Sequence, residues 1–413
     1  MRIAFFLSKF PVLSETFILN QITGMIDRGH DVDIYATCRS GFDKYHPEIE
    51  SYKLLSKTRY FFDIPEGFLG RWLKVIVLII QRGVWRRPVL VFRTITSFGD
   101  DWKDFNLGFM YAILAIADRD PYDIIHCQFG TLGPMALTLK RLRVADGEIV
   151  TSFRGLDITK ATKNNPSMYK ELFRDGALFL AVSKSIRAKL LAAGCPSEKI
   201  IILHSGIDLT RFGYAERSKG THEPVKVLSI GRFVEKKGLE YAIEAVANVH
   251  KTGRNIHYAI IGDGELGDQL NIKIADCHIQ ERVDLLGWQD HKSVTRTLSE
   301  SHILIAPSIT ADDGDQEGIP NVLKEAMATG IPVISTFHGG VPELVEDGAT
   351  GYLVPERDVE ALSRCLIKLY DYPEKWAEMG KKGREKVEAE FDAEKINDDL
   401  EQLYMQLLIS KTS

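Results

Sequence analysis

The stretch DDGDQEGIPNVLKEAMATG, residues 312–330, indicates the fold of this chain more clearly than any other. The apolar segment HILIAPS precedes it and PVIST follows it, so the pattern predicts a strand, an acidic loop, a helix and a second strand. Pro320 suits the first helical turn and Gly330 suits the C-terminal stop. Because ligands bind at the carboxyl ends of strands in open α/β sheets, we expect the functional site in this loop.

Two carboxylates flank the predicted start of the helix. Glu317 lies in the loop and Glu325 lies further along the chain in the helix, so a rise of about 1.5 Å per residue keeps them within roughly 12 Å. One carboxylate can accept hydrogen bonds from sugar hydroxyls and the other from a ribose diol, while the free N–H groups of a helix start can hold a diphosphate. Chance also produces pairs of Glu residues at this spacing, so the interpretation depends on the surrounding strands and helix. The residues predicted to form the helix start are Gly318, Ile319, Pro320 and Asn321.

Length and composition predict a globular protein of two domains. A chain of 413 residues exceeds what one compact core usually holds. The net charge of −5 gives no reason to expect a nucleic-acid partner. The five cysteines are odd in number and form no CxxC pair, which indicates reduced thiols in a cytoplasmic protein, without a disulfide framework or a zinc site. The start MRIAFFLSKFP reads as a strand rather than a signal peptide, and no apolar run reaches the roughly 18 residues of a membrane-spanning helix.

The first half of the chain alternates strands with helices. RIAFFLS, SETFILNQITGMIDRG and DVDIYAT form a β-α-β opening, which predicts a parallel sheet with helices on both faces. Further on, DIIHC carries His126 and IVTSF leads to Asp157, and both residues are candidates for substrate contact. Each also has a structural explanation, His126 as a satisfied core residue and Asp157 as the ion-pair partner of Arg154. The polar segment GYAERSKGTHEP, residues 213–224, predicts the linker to a second domain.

The second half begins with VKVLSIGRFVEKKG, which places Arg232 and Lys237 between the end of a strand and the next helix. Two cations beside a helix N-terminus can stabilise the charge that develops on a leaving diphosphate. Cations in loops are usually solvated surface charges, but the flanking glycines and the strand-end position favour anion binding here. HYAIIGDGELG then supplies Gly262 and Gly264, which leave room for a base or a phosphate to approach the backbone.

Residues 67–99 contain no Asp or Glu, yet Arg and Lys residues are interspersed there with Trp, Ile, Leu and Val. A basic helix with a broad apolar face is typical of proteins that bind anionic membrane surfaces. The alternative is a pair of inserted helices that covers the first domain. The segment therefore predicts either such a cover or peripheral attachment to the inner face of the plasma membrane.

Taken together, four motifs resemble the retaining glycosyltransferases of family 4, which have the GT-B fold. They are GRFVEKKG from Gly231, GDGE from Gly262, the pair Glu317 and Glu325, and GGVPELVEDGATGYLVP from Gly339. Three further motifs, SETF, HSGID and GDQEGIP, are similar to the branch of the family that builds bacterial exopolysaccharides such as colanic acid.

The resemblance implies an α/β fold in which two Rossmann-like parallel-sheet domains face a cleft. Residues 1–212 would bind the acceptor and residues 213–390 the nucleotide sugar, while a last helix at about 391–413 would pack back on the first domain. The resemblance also implies that Arg232 and Lys237 hold the donor diphosphate. Glu325 would then bind the ribose, and Glu317 would contact the transferred sugar.

The first domain departs from the family pattern at two positions. Many relatives end a strand there with a His-x-His pair whose second His approaches the sugar, but this chain reads His126-Cys127-Gln128. Arg154 likewise stands where relatives often have His before a Gly-x-Asp turn. Both departures leave the diphosphate site intact, so the prediction of a transferase stands.

The resemblance implies retaining transfer of a hexose from a nucleotide sugar to a lipid-linked or oligosaccharide acceptor, in exopolysaccharide or cell-surface glycan biosynthesis. UDP-galactose or UDP-glucose is the expected donor and GDP-mannose the alternative, and no cofactor is expected besides the donor. Asp313-Gly314-Asp315 forms a DxD motif, which binds a divalent metal in other transferases, but nearby cations can neutralise the diphosphate. We therefore expect metal-independent activity. Two other classes are a nucleotide-sugar epimerase, which needs no acceptor, and a non-catalytic nucleotide-sugar sensor.

Overall fold

The structure is a computed structural model that describes residues 1–13, 15–41, 45–62, 68–81, 107–220 and 223–412. Within these residues the strands form two sheets, one of seven strands and one of six. Neighbouring strands run parallel throughout both sheets. The predicted α/β architecture with two parallel sheets is therefore confirmed.

The first sheet lies within the first half of the chain. Its strands are β1 (Arg2–Phe10), β2 (Asp31–Arg39), β3 (Thr58–Tyr60), β4 (Ile124–Cys127), β5 (Glu148–Phe153), β6 (Leu178–Ala181) and β7 (Ile200–Ile202). Its helices are α1 (Thr16–Asp27), α2 (Glu48–Ser51), α3 (Phe68–Gln81), α4 (Leu107–Ile116), α5 (Gly133–Arg141), α6 (Leu156–Asn164), α7 (Lys170–Asp175) and α8 (Lys184–Ala192). The spatial order of the strands is β3-β2-β1-β4-β5-β6-β7.

The second sheet repeats this plan. Its strands are β8 (Val225–Ile230), β9 (Ile256–Ile261), β10 (Val283–Leu285), β11 (Ile303–Ala306), β12 (Val333–Thr336) and β13 (Gly351–Val354). Its helices are α9 (Leu239–Lys251), α10 (Gly267–Asp276), α11 (His291–Glu300), α12 (Asn321–Ala328), α13 (Val341–Leu344), α14 (Val359–Asp371) and α15 (Lys375–Glu390). The spatial order is β10-β9-β8-β11-β12-β13.

The strand order places the crevice of each sheet. In the second sheet the chain moves outward from β8 to β10 and then returns to pair β11 with β8, so the order reverses between β8 and β11. At such a reversal the loops after the two strands diverge to opposite faces and leave a crevice at the carboxyl edge. The loops after β8 and β11 contain the predicted diphosphate cations and Glu317. In the first sheet the reversal lies between β1 and β4.

The strands read as continuous apolar runs because helices cover both faces of each sheet. Residues 3–7 of β1 and residues 303–305 of β11 have no exposed surface. A last helix, α16 (Ala393–Thr412), returns to the first sheet and packs on α1. There Arg28, directly after α1, donates to Asp398 and Glu394, and Asn397 donates to the backbone carbonyl of Asn20.

Residues 312–330 and the apolar segments that flank them fold as strand, loop, helix and strand. The predicted strands are β11 and β12, and the helix between them is α12. Pro320 lies just before the helix, with ψ of 128°, rather than in its first turn. Gly330 supplies the stop, because its φ of +84° is a conformation that glycine adopts without strain.

The basic apolar segment at residues 67–99 is described only in α3. Gly67 and residues 82–99 lie outside the described residues. On α3, Val75 is buried, and Leu78 and Ile79 pack on the core of the first sheet. None of the helices in the described part of the chain combines the length and apolarity that crossing a bilayer demands.

Two glycines on α15 allow a matched test of how tightly this helix supports α12. A Cβ at Gly380 would collide with the backbone of Gly330 and come within 2.8 Å of its carbonyl carbon, whereas a Cβ at Gly383 would meet Met327 side-chain atoms at an ordinary 3.5 Å. Both Ala substitutions gain the same helix propensity. We therefore expect Gly380→Ala to have a free energy of unfolding about 1–3 kcal/mol below that of Gly383→Ala, in urea titrations. Equal free energies of unfolding for the two variants would contradict this expectation and show that α15 can move away from α12 without loss of stability.

Candidate active site

Glu317 lies in the loop between β11 and α12, next to two lysines from the loop after β8. The ammonium group of Lys237 donates to Glu317 Oε2 at 2.8 Å, and that of Lys236 lies 3.7 Å from Oε1. Burial alone would raise the pKa of the Glu317 carboxyl group, but the two ammonium groups outweigh it and hold the pKa below its usual value. Glu317 is therefore an anion although only 13% of its side chain is exposed.

The loop after β8 positions these cations. Its backbone turns at Gly238, whose φ of +60° and close approach to the Pro307 carbonyl group leave no space for a Cβ. The Lys237 stem passes over Gly231. Arg232 is exposed, and its side chain makes no ion pair with any residue in the described part of the chain. The structure thus brings Lys237 to Glu317 and leaves Arg232 exposed on the same loop.

Glu325 lies in α12 and is also influenced by Lys237. Burial raises the pKa of the Glu325 carboxyl group, while the ammonium groups of Lys324 and Lys237 act against that rise. Ahead of it, α12 begins without a side-chain cap. Leu323 N–H bonds the Pro320 carbonyl, and a depression lined in part by Lys237, Ser308, Pro320 and Val322 lies beside this helix start. Of the predicted helix-start residues, Pro320 therefore lines the same depression as Lys237, whereas Gly318 packs against the Arg154 carbonyl.

Gly262 and Gly264 serve a different purpose from the predicted one. Both have a φ near +150°, and a Cβ at either position would meet protein backbone. At Gly262 it would lie 2.9 Å from the carbonyl carbon of Gly231, and at Gly264 it would lie 2.7 Å from the carbonyl oxygen of Phe233. The space that these glycines leave is thus filled by the loop after β8. They bring the loops after β8 and β9 into contact, and this corrects the prediction that they make room for a base or a phosphate.

His126 does not reach the cleft. Its ring has no exposed surface, and both ring nitrogens are occupied: Nδ1 lies 2.6 Å from the hydroxyl of Tyr404 on α16, and Nε2 lies 2.8 Å from Ser152 Oγ. Burial, reinforced by Arg154, lowers the pKa of the imidazole to about 3, so the ring is neutral. These contacts correct the prediction of a catalytic His126 and give it the role of anchoring α16.

Gln128 and Arg154 form a polar cluster at the carboxyl edge of the first sheet. The Arg154 guanidinium donates to the side chain of Gln128 at 2.5 Å, to the Gln128 carbonyl at 3.0 Å and to Ser205 Oγ at 2.8 Å. It also lies over the ring of Phe17, 4.3 Å from the centroid. Gln128 is buried and donates in turn to Gln21 of α1. The two positions that depart from the family pattern therefore bond to each other.

Asp157 holds two turns together. Its carboxylate accepts hydrogen bonds from the backbone N–H groups of Gly130, Arg154 and Gly155 at 2.8–3.0 Å, and the residue is buried. Burial raises the pKa of this carboxyl group, although the three N–H groups act against the rise. The carboxylate thus faces backbone, and Asp157 acts as a positioning residue for the loops after β4 and β5.

The Glu317 loop is also the place where the two sheets' loops meet. A Cβ at Gly155 would lie 2.8 Å from the carbonyl oxygen of Gln316, and one at Gly318 would lie 2.9 Å from that of Arg154. Lys160 on α6 pairs with Asp313 at 2.8 Å, and Lys189 on α8 donates to Gln316. Glu317 therefore lies directly between the first-domain turn at Arg154 and the cations of the second domain.

The DxD motif is engaged by lysines. Asp313 pairs with Lys160, and Asp315 pairs with Lys236 at 2.9 Å. The backbone N–H of Asp315 also donates to Asp313. Within the described ranges, no cluster of three or more His, Cys, Asp or Glu side chains is arranged to hold a metal ion.

Sequence reasoning missed three residues around Glu317. Lys236, the neighbour of Lys237, lies 3.7 Å from Glu317 Oε1 and pairs with Asp315. His338, which accepts a hydrogen bond from Glu317 N–H at 3.0 Å, and Glu356, which contacts His338 at 2.7 Å, follow β12 and β13. Both strands end at the same edge as β11, so the strand-end rule that identified Glu317 could also have identified His338 and Glu356.

Comparisons with known proteins place this geometry in a family. The model of glycosyltransferase family 4 matches residues 14–211, and that of glycosyl transferases group 1 matches residues 215–386. WcaL of Salmonella typhimurium, a glycosyltransferase named for colanic acid biosynthesis, is 37% identical over 98% of this chain and 99% of its own length. The amylovoran biosynthesis glycosyltransferase AmsK of Erwinia amylovora is 37% identical over 95% of this chain and 96% of its own.

Solved structures share the fold. HepE of Anabaena, crystallised with UDP-glucose, superposes with a TM-score of 0.72 at 16% identity and covers 98% of this chain and 100% of its own. Sucrose-phosphate synthase of Thermosynechococcus elongatus gives a TM-score of 0.71 at 19% identity, over 99% of this chain and 100% of its own. The family models and the full-length relatives show what the motifs implied: the chain has the GT-B fold, belongs to glycosyltransferase family 4 and is a glycosyltransferase.

Proposed function

We propose that this glycosyltransferase moves a hexose from a UDP-sugar to a lipid-linked or oligosaccharide acceptor in bacterial exopolysaccharide biosynthesis, with retention of the anomeric configuration. One observation carries the proposal: Lys237 lies 2.8 Å from Glu317 and beside the uncapped start of α12. A cation, a carboxylate and a helix N-terminus then face one crevice, as a nucleotide sugar requires. The relatives named for colanic acid and amylovoran biosynthesis support the pathway class.

The donor would lie along α12. Arg232, Lys237 and the N–H groups at the helix start would take the diphosphate, and Glu325 would accept hydrogen bonds from the ribose. Glu317, fixed as an anion by two lysines, would accept hydrogen bonds from the transferred sugar. As the sugar leaves, negative charge grows on the diphosphate, and cations held in a partly buried crevice stabilise that charge more strongly than water does. HepE, which binds UDP and UDP-glucose, supports a UDP-sugar over the alternative GDP-mannose.

Retention itself is what the family resemblance implies, and the state of the nearby carboxylates bears on the route by which it would be achieved. A double displacement would use a free carboxylate as nucleophile. Glu317 is paired with Lys237, and Asp157 is occupied by three backbone N–H groups. We therefore propose front-face attack by the acceptor, with the leaving phosphate accepting the acceptor proton.

Neutralising either cation should lower turnover. We expect Lys237→Met and Arg232→Gln each to slow UDP release from UDP-glucose or UDP-galactose by about 10²-fold or more, because each removes a positive side chain that would stabilise the negative charge on the leaving diphosphate. The assay measures slow donor hydrolysis across a panel of UDP-, GDP- and ADP-sugars without acceptor. Lys251→Met, at the opposite end of α9, is the matched control and should keep wild-type activity.

Activity of Lys237→Met within a few-fold of wild type would refute the diphosphate assignment. Selective hydrolysis of GDP-mannose would show that the donor is GDP-mannose rather than a UDP-sugar, while the assignment of the diphosphate site would stand. Interconversion of the donor sugar without release of nucleotide would indicate an epimerase.

We also propose that transfer needs no divalent metal. The lysine partners of Asp313 and Asp315 already occupy the DxD carboxylates, and Lys237 supplies positive charge to the crevice. Treatment with EDTA should therefore leave the rate of UDP release within about twofold of the untreated enzyme, since cationic side chains supply the electrostatic stabilisation. Full loss of activity that Mg²⁺ or Mn²⁺ restores would contradict this proposal.

A further proposal concerns attachment to the cytoplasmic leaflet of an anionic membrane. On α3, Leu73, Ile76, Val77 and Ile80 recur at helical spacing and are 45–63% exposed, while the opposite face packs on the core. An exposed apolar stripe on a helix without acidic residues, inside a segment rich in Arg, fits the interface of an anionic bilayer.

Liposome flotation tests this attachment. We expect wild-type protein to float with vesicles that contain anionic lipid and Leu73→Ser/Ile76→Ser/Ile80→Ser to remain at the bottom, because each lost apolar side chain removes about 1.5–3 kcal/mol of burial. Ile272→Ser/Tyr372→Ser, which alters exposed apolar residues of the second domain, should float like wild type. Equal flotation of the α3 variant and the wild type would refute the proposal.

A further inference from the structure

Glu317 is held through its backbone as well as through its carboxylate. Its N–H donates to Nε2 of His338, at 3.0 Å, and Nδ1 of His338 lies 2.7 Å from Oε1 of Glu356. The His338 ring has no exposed surface. The three residues form a chain of hydrogen bonds from the carboxyl end of β13 to the loop after β11.

The contacts determine which ring nitrogen accepts a hydrogen bond and which one faces the carboxylate. A backbone N–H can only donate, so His338 Nε2 must accept and cannot carry a proton. The proton of a neutral imidazole then resides on Nδ1, where it is donated to the Glu356 carboxylate. A carboxylate that orients an imidazole in this way determines both its tautomer and its direction.

Glu356 also bonds the loop that carries Glu317 near its start, at Thr310. Its second oxygen, Oε2, accepts from Thr310 N–H at 2.8 Å, and the Thr310 hydroxyl lies 3.3 Å from Oε1. Gln316 then donates to the same hydroxyl at 2.8 Å, which closes the loop on itself. One carboxylate therefore fixes Thr310, near the start of the loop, directly and Glu317 through His338. Both bonds and the burial of Glu356 bear on its pKa, which lies below the usual value because the hydrogen bonds outweigh burial.

The turn after His338 adds to the same support. Gly340 N–H donates to the carbonyl of Gly318 at 2.8 Å. Gly339, with a φ of +53°, packs its Cα against the Glu317 carbonyl, so no Cβ fits there. The loop that carries Glu317 thus lies on a platform built from the residues after β12.

From this geometry we infer that His338 and Glu356 are positioning residues that set Glu317 at the distance and angle that sugar transfer requires. The inference rests on the proposed role of Glu317 toward the donor sugar. The ion pair with Lys237 fixes the carboxylate end of Glu317, and the His338 relay fixes the backbone end. Without the relay the Glu317 carboxylate stays charged, but the backbone from which the side chain extends is no longer held in place. Misplacement of a catalytic group by about 1 Å can lower the rate about 10²-fold.

Two isosteric variants separate the two halves of the relay. In His338→Gln the side-chain amide reaches as far as Nε2, so its oxygen can accept from Glu317 N–H while the bond to Glu356 is lost. In His338→Asn the amide reaches only as far as Nδ1, so the bond to Glu356 is kept and the bond to Glu317 is lost. A purely structural role would make the two variants equally harmful.

Donor hydrolysis and UDP affinity are measured on both variants. We expect His338→Asn to lower kcat for UDP release by about tenfold or more and His338→Gln to keep it within about threefold. UDP affinity, measured by calorimetry, should stay near wild type in both, because UDP lacks the sugar that Glu317 contacts. Glu356→Ala removes both the partner that orients His338 and the acceptor of Thr310 N–H, so it should also lower kcat, and it serves if His338→Asn does not fold.

Backbone hydrogen exchange at Glu317 tests the relay without any substrate. The Glu317 amide should exchange faster in His338→Asn than in wild type and at the wild-type rate in His338→Gln. Equal kcat in the Asn and Gln variants, or unchanged exchange in His338→Asn, would overturn the inference. If wild-type protein released nucleotide from no donor while exchange behaved as expected, the relay would stand and the proposed function would fall.

Discussion

The ion pair between Lys237 and Glu317 is the interaction on which the site depends. It joins the loops after β8 and β11, which the strand order separates to opposite faces of the second sheet. Burial would favour a neutral carboxyl group at Glu317, so the anion exists because Lys237 and Lys236 compensate the lost hydration. The pair therefore does two things together. It fixes the carboxylate that, in the proposed function, accepts hydrogen bonds from the sugar, and it keeps a cation beside the start of α12, where the proposed donor diphosphate would lie.

Local sequence patterns predict much of this arrangement. The alternation of apolar runs with amphipathic segments defines two parallel sheets, because strands covered on both faces must be apolar along their whole length. Glycines and strand ends then locate the loops that carry Lys237 and Glu317. Residues 312–330 alone predict the helix α12 and its stop at Gly330. The φ of +84° at that stop is a conformation that glycine adopts without strain.

The rest of the site depends on contacts between distant parts of the chain. His126 resembles a catalytic residue by its place near the carboxyl end of β4, but it is buried and bonded to Tyr404, which lies 278 residues later. Gly262 and Gly264 suggest an open space, yet that space is filled by backbone from the loop after β8. His338 follows a strand in the same way as Glu317 does. Its importance becomes visible only once the two loops are seen to touch.

The site is built so that Glu317 belongs to the second domain although it lies against the first. Gln316 and Gly318 pack on the first-domain turn at Arg154 and Gly155, so separation of the domains would remove these contacts. The Lys237 pair and the His338 relay, in contrast, come entirely from the second sheet. Glu317 would therefore keep its charge and its position in an open enzyme that exchanges nucleotide. If the two domains close on the donor, closure would only bring the first-domain turn up to a loop that is already ordered, so little binding energy would be spent on ordering that loop.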